Sequence, residues 1–344
     1  MPAQRIDIEQ FLSLASLHPV LDVRSPGEYK HAHIPGAHSF PLFTDEERKI
    51  VGTTYKQKSR EEAIKIGLDF FGPTLKQRVL DAEQIANRTK ILLVHCWRGG
   101  MRSAAISWLL DLYGFKIYTL AGGYKAYRNW VLAQFKKNYS FQLIGGYTGS
   151  GKTELLGALK KSEKFVVDLE GLAGHKGSAF GNIGLPPQPG QEQFENKLAQ
   201  ALQHCVQANP SAPIWLEDES QRIGTVNIPN ELWATMRTSS LFFLDIPFEK
   251  RLEHIVEEYG ALDREAVIAA IGRITKKLGH LQAKQAIDFF QENNIAASFE
   301  ILLRYYDKLY AKSLQNREGL DKLLTAIPAE QTGAANLEKL LSIN

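Results

Sequence analysis

Cysteine is scarce in this chain, with only Cys96 and Cys205 among 344 residues. Two thiols cannot form a disulfide framework, and neither lies at a spacing that pairs metal ligands, so we expect no structural zinc site. The sequence has no run of about 18 apolar residues that would predict a membrane-spanning helix. Its N-terminus also lacks a basic segment followed by an apolar run, and we therefore expect a cytoplasmic protein.

An excess of one charge sign is also missing, because the formal net charge is only +3. This balance permits a nucleic-acid partner without requiring one, so any basic surface must be local. No internal repeat or low-complexity tract is present. With 44% hydrophobic and 23% charged residues, the composition is that of a globular protein long enough for two domains.

The residues around Cys96 predict a nucleophile. Four apolar residues, Ile91 to Val94, indicate a short buried strand, and a helical pattern follows the turn after Cys96. A cysteine on such a turn faces the N-terminal end of a helix, where unpaired N–H groups and the helix dipole favour an anion. Two glycines let the backbone fold closely there, and Arg98 and Arg102 add positive charge. We therefore predict a lowered thiol pKa for Cys96 instead of an inert buried thiol.

Residues 1–136 are predicted to form one α/β domain. The segment DVRSPGEYKHAHIPGA resembles the signature of the rhodanese domain, in which a later strand also ends in the cysteine loop. The matching positions are Asp22, Arg24, Glu28, Tyr29, His33, Ile34, Gly36 and Ala37. We expect no metal at His31, His33 and His38, because no acidic or thiol ligand joins them. Residues 44–86 are predicted to form a loop followed by two helices.

Residues 137–261 are predicted to form a P-loop domain. Gly146-x-x-x-x-Gly151-Lys152-Thr153 follows an apolar strand and precedes a helix, which is the context that the motif requires. Successive N–H groups of such a loop hold phosphate oxygens, the lysine reaches the terminal phosphate and the threonine can bind Mg²⁺. The predicted diphosphate-binding residues are Gly146, Gly149, Ser150, Gly151, Lys152 and Thr153.

Two further strand patterns, residues 164–171 and 213–220, end in acidic residues. Glu217 or Asp218 is a candidate ligand for Mg²⁺ or a water molecule, since P-loop proteins carry an acid there. The glycine-rich segment between these strands includes His175 and Lys176, and we predict that it is a mobile functional cover.

Residues 262–344 are predicted to be helical, with no further strand. One candidate face for binding an RNA backbone comprises Arg273, Lys276, Lys277 and Lys284 at helical spacings, although a solvated face explains the same pattern equally well. Arg304, Tyr305, Tyr306 and Lys308 combine basic and aromatic side chains, as stacking on unpaired bases requires.

The order of these motifs resembles the tRNA 2-selenouridine synthase family, in which a rhodanese-like domain is fused to a P-loop domain. The resemblance rests on CWRGGMRS, VGTTYK and LEGLAGHKGSAFG as well as on the two domain signatures. It implies replacement of the sulfur of 2-thiouridine at the tRNA wobble position by selenium. The sulfur is first geranylated with geranyl diphosphate, and selenophosphate then supplies selenium.

On this hypothesis the Cys96 thiolate attacks selenophosphate, phosphate leaves and a perselenide is carried to the base, with Arg98 and Arg102 as electrostatic partners. The P-loop holds the diphosphate of geranyl diphosphate. No tightly bound cofactor is expected, while Mg²⁺ remains an option. The expected partners are the anticodon loop of tRNA and, as a further candidate, selenophosphate synthase.

Other functions fit parts of the same pattern. A P-loop small-molecule kinase with a rhodanese-like regulatory domain would use ATP, which the motif does not exclude. The five residues between Cys96 and Arg102 match the spacing of cysteine-dependent phosphatases. A non-enzymatic RNA-binding or sulfur-carrier module is a third alternative.

Overall fold

The computed structural model describes residues 3–260 and 262–343. Contacts divide the chain into two compact units, Met1–Gln134 and Phe135–Asn344. The predicted fold class is confirmed, because each unit is built on a parallel sheet and helices predominate towards the C-terminus. Among the residues described, no helix is both long and apolar enough to cross a membrane.

Residues 3–134 of the first unit form five strands and seven α-helices. The strands are β1 (Gln4–Ile6), β2 (Val20–Asp22), β3 (His38–Ser39), β4 (Ile91–His95) and β5 (Lys116–Leu120). The helices are α1 (Ile8–Ala15), α2 (Pro26–His31), α3 (Asp45–Gln57), α4 (Arg60–Phe71), α5 (Leu75–Ala86), α6 (Met101–Tyr113) and α7 (Gly123–Gln134). The strands pair in parallel in the order β1-β5-β4-β2-β3.

The central strand β4 is buried on both faces. Leu92, Leu93 and Val94 are fully buried, as a continuous apolar run in a parallel sheet predicts. Because β2 and β5 pair with its two edges, the carboxyl end of β4 opens at the same sheet edge as theirs. The residues after His95 therefore leave the sheet where α/β folds place their ligands.

The prediction of a loop at the start of residues 44–86 is wrong. The segment forms three helices, α3, α4 and α5. Thr44 caps α3, because its hydroxyl accepts from the amide of Glu47 at 3.2 Å and the Glu47 carboxylate accepts from the amide of Thr44 at 2.8 Å. This reciprocal cap starts a helix in a stretch whose charged residues suggest a loop.

The described part of the second unit, residues 135–260 and 262–343, has seven strands. They are β6 (Phe141–Gly146), β7 (Phe165–Val166), β8 (Ile214–Glu217), β9 (Arg222–Ile223), β10 (Val226–Asn227), β11 (Ser240–Asp245) and β12 (Leu324–Pro328). The helices are α8 (Lys152–Lys161), α9 (Leu169–Ala173), α10 (Gln191–Ala208), α11 (Asn230–Arg237), α12 (Phe248–Tyr259), α13 (Arg264–Leu278), α14 (His280–Gln291), α15 (Ile295–Gln315), α16 (Leu320–Leu323) and α17 (Leu337–Ile343).

The main sheet of this unit has the parallel order β12-β11-β6-β8-β7, so the P-loop follows its central strand. The expectation of no strand after residue 262 is wrong, since β12 pairs with β11 from Leu324 to Pro328. Ile327 is 1% exposed and packs with residues of α8 in the core. A five-residue edge strand that ends in proline gives little sequence signal.

The helices after β11 form a second core. Ile271 of α13, Ala286 of α14 and Phe299 of α15 are buried together with Phe180 from the glycine-rich segment. The predicted single helical face across residues 273–284 is wrong, because Gly279 ends α13 at a φ of +105° and α14 starts at His280. The strand expected at residues 164–171 is limited to Phe165–Val166, since Asp168 caps α9.

Candidate functional site

The loop after β4 holds Cys96 in a fixed position. Its carbonyl oxygen accepts a hydrogen bond from the Tyr124 amide at 2.8 Å, and the carbonyl of Trp97 accepts from the Lys125 amide at 3.0 Å. A Cβ atom at Gly123, where φ is +59°, would lie 2.4 Å from the Cys96 carbonyl oxygen. The Gly-Gly turn at the start of α7 therefore holds the cysteine loop in place, which the sequence alone does not indicate.

The sulfur of Cys96 is surrounded by hydrogen-bond donors. The amide of Gly100 donates to Sγ at 3.3 Å, and the Ser103 hydroxyl lies 3.3 Å from it. Burial alone raises the pKa of this thiol, but hydrogen bonds from Ser103 and from the amides of Gly100 and Arg98 outweigh it and lower the pKa. Cys96 is 3% exposed, so its sulfur is covered by the loop. The hydrogen bond from the Gly100 amide places it at the N-terminus of α6.

The two arginines of the loop differ in their surroundings. Arg98 is exposed, whereas Arg102 donates to the Glu28 carboxylate at 2.6 Å. Arg48 lies 3.5 Å from the same carboxylate. Part of the positive charge predicted beside Cys96 is therefore shared with Glu28, and the freely exposed cation of this loop is Arg98.

The signature residues before the loop support the sheet. Arg24 pairs with Asp22 at 2.6 Å, both being buried, and also donates to the carbonyl of Ala32 at 2.7 Å. Its guanidinium lies 3.8 Å from the centre of the Tyr124 ring. His33 stacks on Tyr29 with a centroid distance of 4.0 Å. These contacts hold the elements around β4 in place, and none of them points to a metal site.

The P-loop adopts the conformation that its sequence predicts. Gly149 and Gly151 have φ values of +81° and +75°, which a residue with a side chain rarely adopts. The Lys152 ammonium donates to the Gly146 carbonyl at 3.0 Å, so its charge lies over the loop. Ser150 is fully buried, and its hydroxyl has no hydrogen-bond partner.

Glu217 and Asp218 have different roles at the end of β8. The Thr153 hydroxyl donates to Glu217 at 2.8 Å, and Oε2 of this buried carboxyl has no partner. Burial, followed by the charges of Glu170 and Asp168, raises the pKa of Glu217 to about 8. Asp218 instead accepts from Tyr310 at 2.8 Å and from Arg317. Of the two candidates, only Glu217 contacts the P-loop hydroxyl.

Two further acids from the ends of the predicted strand patterns, which were not among the Mg²⁺ candidates, lie at this position. Glu170 accepts from the Thr153 hydroxyl at 3.2 Å, and burial raises the pKa of Glu170 and of Glu219. Their place after β7 and β8 was a usable signal, because parallel strands end at one sheet edge. No sequence pattern indicated Tyr310, which lies 164 residues after Gly146. Its hydroxyl accepts a hydrogen bond from the Gly146 amide at 3.3 Å.

The P-loop opens into a cleft of about 480 Å³ within the second unit. Its polar lining includes the P-loop itself, Lys176 and Arg237, together with the carboxyl groups of Glu154, Glu170, Asp218, Glu219 and Glu258. The same cleft also has an apolar and aromatic lining, formed by Ile255, Tyr259, Tyr306, Leu309 and Tyr310. An anion with a hydrocarbon tail would find both of its parts matched in this one cleft.

The glycine-rich segment is anchored along its length. Phe180 is buried among the C-terminal helices, and the Ala179 amide donates to the Tyr306 hydroxyl at 3.1 Å. Lys176 lines the cleft and pairs with Glu258. His175 is 9% exposed and lies outside the cleft lining. The Tyr306 hydroxyl is therefore tied to the glycine-rich segment, while its half-buried ring lines the cleft.

The basic residues predicted to bind tRNA are exposed but lie on two helices. Arg273, Lys276 and Lys277 belong to α13, and Lys284 belongs to α14. Arg273 also donates to the Ala179 carbonyl at 2.9 Å, which ties α13 to the glycine-rich segment. In the ranges 3–260 and 262–343, no group of three or more His, Cys, Asp or Glu side chains is arranged to hold a metal ion.

Comparison with known proteins matches both units. Residues 7–129 match the model of the rhodanese-like domain, and residues 139–288 match that of the tRNA 2-selenouridine synthase AAA domain. The tRNA 2-selenouridine synthase of Nitrosomonas europaea is 34% identical, covering 87% of this chain and 90% of that protein. The Hydrogenovibrio crunogenus protein of the same name is also 34% identical, with coverage of 87% and 90%.

Because identity above 30% extends over nine tenths of these relatives, the likeness covers both units and not one shared domain. The protein of this name from a Sulfurovum species is 34% identical, covering 85% of this chain and 87% of that protein. The cysteine loop, the P-loop and their order along the chain agree with that relationship. This chain belongs to the tRNA 2-selenouridine synthase family.

Proposed function

We propose that this chain converts 2-thiouridine at the wobble position of tRNA into 2-selenouridine in two steps. The P-loop unit geranylates the sulfur with geranyl diphosphate, and the rhodanese-like unit then exchanges the geranylthio group for selenium from selenophosphate. The observation that carries the proposal is the cleft in which a phosphate-binding loop and an apolar wall meet. Family membership supports the acceptor, since the relatives are named for this modified nucleoside of tRNA.

In the first step the thiouridine sulfur attacks C1 of the geranyl group. The S–C1 bond forms, the C1–O bond breaks, diphosphate leaves and the N3 proton of the base is released. Stabilising the charge of the leaving diphosphate is the main catalytic requirement. The amides of the P-loop and the Lys152 ammonium supply it, while the aromatic lining accommodates the hydrocarbon chain.

The residues near Thr153 fit a magnesium ion. Mg²⁺ is usually held by one or two carboxylates together with phosphate oxygens and water. The buried Glu217 oxygen without a partner, next to the Thr153 hydroxyl, provides this type of donor set. When bound, the ion would supply further positive charge to the diphosphate.

In the second step Cys96 acts as the nucleophile. Attack of the Cys96 thiolate on selenophosphate with release of phosphate does not form a perselenide. Selenium then leaves at the level of selenide, whereas a perselenide contains selenium that is two electrons more oxidised. A thiolate that attacks selenium forms an S–Se bond, breaks the P–Se bond and expels phosphorus at the phosphite level. The perselenide then attacks C2, geranylthiolate leaves, and an added thiol cleaves the S–Se bond by forming a disulfide with Cys96, which frees the selenated base. Alternatively, the thiolate attacks C2 of the base and expels geranylthiolate. Selenophosphate then displaces Cys96, and hydrolysis of the P–Se bond releases phosphate.

Phosphorus NMR of the spent reaction distinguishes these two routes. Phosphite as the product identifies Cys96 as the selenium carrier, whereas phosphate identifies it as the group that activates C2. Mass analysis of the trapped protein adds a second readout, a selenium adduct in the first case and a nucleoside adduct in the second. A Cys96→Ser variant that still completes selenation would contradict both routes.

The exposed cations Lys276, Lys277 and Lys284 are proposed contacts for the tRNA backbone. Contacts of this kind weaken with salt in proportion to their number, because each releases condensed counterions. Replacing the three lysines by glutamine should therefore weaken tRNA binding and reduce its salt dependence, with geranyl diphosphate binding unchanged.

Ligand competition tests the P-loop assignment against a kinase. Geranyl diphosphate should bind the full chain and resist displacement by ATP, and Lys152→Ala should weaken its binding at least tenfold. Lys160→Ala is the matched control, since Lys160 is exposed on the same helix. Displacement by ATP together with substrate-dependent ADP formation would support the kinase instead.

A further inference from the structure

Helix α6 is apolar on both of its faces. Ile106, Leu109 and Leu110 face the core, as expected for a helix that packs on a sheet. On the opposite side Met101, Trp108 and Leu112 are 47%, 58% and 70% exposed. With Ala105, which is partly buried and also packs against the core, these positions follow a spacing of four, three and four along one side of the helix.

These four residues and Trp97 are here called the α6 stripe. Trp97 precedes the helix in the cysteine loop and is 38% exposed. An amphipathic helix normally presents charged residues to water, but none of the five stripe residues is charged. Contiguous exposed apolar surface of this kind on a globular protein usually marks a binding surface.

The stripe begins at the reacting sulfur. Met101 is the first residue of α6, and the amide of Gly100 immediately before it donates to Cys96 Sγ. Trp97 directly follows Cys96, and its ring lies 5.7 Å from that of Tyr124. From Met101 to Trp108 the helix rises about 10 Å, which is an extended path for a hydrocarbon chain that starts near Sγ.

This inference rests on the proposed function, whose second step indicates which ligand binds this surface. The C2 atom of the base must come within bonding distance of Cys96 or of selenium attached to it. The geranylthio group leaves from that same C2 atom, so its hydrocarbon chain has to lie beside the cysteine loop. An RNA backbone would require cations along the surface, and the stripe offers none.

We propose that the α6 stripe binds the geranyl chain of the S-geranyl-2-thiouridine intermediate during selenation. Trp97 and Met101 contact the part of the chain nearest the sulfur, and Trp108 and Leu112 contact the distal part. Burial of the chain on this surface orients C2 towards Cys96 and retains the intermediate until geranylthiol leaves. The stripe is thus a second isoprenoid site, separate from the cleft of the P-loop unit.

The test compares tRNAs that carry S-geranyl- or S-methyl-2-thiouridine as substrates for selenation by the full chain. In a Trp108→Ser/Leu112→Ser variant, KM for the geranylated tRNA should rise about tenfold, while KM for the methylated tRNA should not change. Alkylation of Cys96 by iodoacetamide and geranylation of 2-thiouridine should remain at wild-type rates. The single variant Trp108→Phe keeps an aromatic side chain and should therefore have the wild-type KM for the geranylated tRNA.

Leu17→Ser and Leu132→Ser are the matched controls, because both leucines are exposed in the same unit away from the stripe. Equal losses with both tRNAs, or no loss with either, would overturn the proposal. A change in sedimentation of the stripe variant would assign the surface to a second copy of the chain. If wild-type protein selenates neither tRNA, the proposed function fails, and equilibrium dialysis of the S-geranyl nucleoside, with binding weakened in Trp108→Ser/Leu112→Ser and unchanged in Trp108→Phe, then tests the stripe alone.

Discussion

Hydrogen bonds to the sulfur of Cys96 come from the helix start and from the loop itself. The Ser103 hydroxyl and the amides of Gly100 and Arg98 all favour the thiolate, although burial opposes it. The sequence predicted a lowered pKa from the helix N-terminus and from two arginines, of which Arg102 is engaged by Glu28. Local dipoles therefore contribute more clearly to this thiolate than fixed charges do.

Replacing Ser103 by alanine tests that balance. Loss of the hydroxyl 3.3 Å from Sγ removes a donor to the thiolate, so the pKa of Cys96 should rise. The rate of alkylation by iodoacetamide should reach its midpoint at a higher pH in Ser103→Ala than in wild type. Cys205 reports the background, since burial raises the pKa of that thiol. An unchanged midpoint would show that Ser103 does not stabilise the thiolate.

At the level of elements, the cysteine loop depends on the turn before α7. Alanine at Gly123 would place Cβ 2.4 Å from the Cys96 carbonyl oxygen and 2.6 Å from the Gly99 amide nitrogen, at a φ of +59°. Gly123→Ala should destabilise the first unit by about 1–3 kcal/mol and move the alkylation midpoint of Cys96 upwards. Thermal unfolding and the alkylation profile measure the two effects.

Gly52 supplies the control for this prediction. It lies within α3, and a Cβ atom there meets nothing within 4 Å. Gly52→Ala should keep or slightly raise the stability of the unit, because alanine favours the helix. Equal stability of both variants would show that the loop does not need the close approach at Gly123.

The edge strand β12 is a second element with a measurable contribution. Ile327 is 1% exposed, so Ile327→Ala should remove about 2–5 kcal/mol of stability from the P-loop sheet. Hydrogen exchange of β11 and β6 should accelerate, whereas Thr325→Ala on the exposed face of the strand should have little effect. Unchanged protection in Ile327→Ala would mean that β12 does not support the sheet.

Motifs with a fixed local geometry were predictable from the sequence, and contacts between distant segments were not. The P-loop depends on neighbouring residues, so its conformation follows from its glycines and the apolar run before it, whereas the turn after β4 also needs the distant Gly123. The contact of Tyr310 with Gly146 and the pairing of β12 with β11 join residues far apart in the chain. Helix α3 shows the intermediate case, in which the Thr44 cap was legible but outweighed by the charged residues after it.

At the scale of the whole molecule, each unit carries one kind of chemistry. The first presents an activated sulfur at a helix N-terminus, and the second presents a phosphate-binding loop within a partly apolar cleft. On the proposed function, the second unit prepares the base and the first delivers selenium. Inactivating one unit should therefore stop the pathway at a defined nucleoside and not merely slow it.

Nucleoside mass spectrometry tests this division directly. Full-length protein is incubated with tRNA that contains 2-thiouridine, geranyl diphosphate and selenophosphate, and the wobble nucleoside is then identified. Wild type should yield 2-selenouridine, Cys96→Ser should accumulate S-geranyl-2-thiouridine, and Lys152→Ala should leave 2-thiouridine unchanged. Selenation by Cys96→Ser, or undiminished geranylation by Lys152→Ala, would contradict the account.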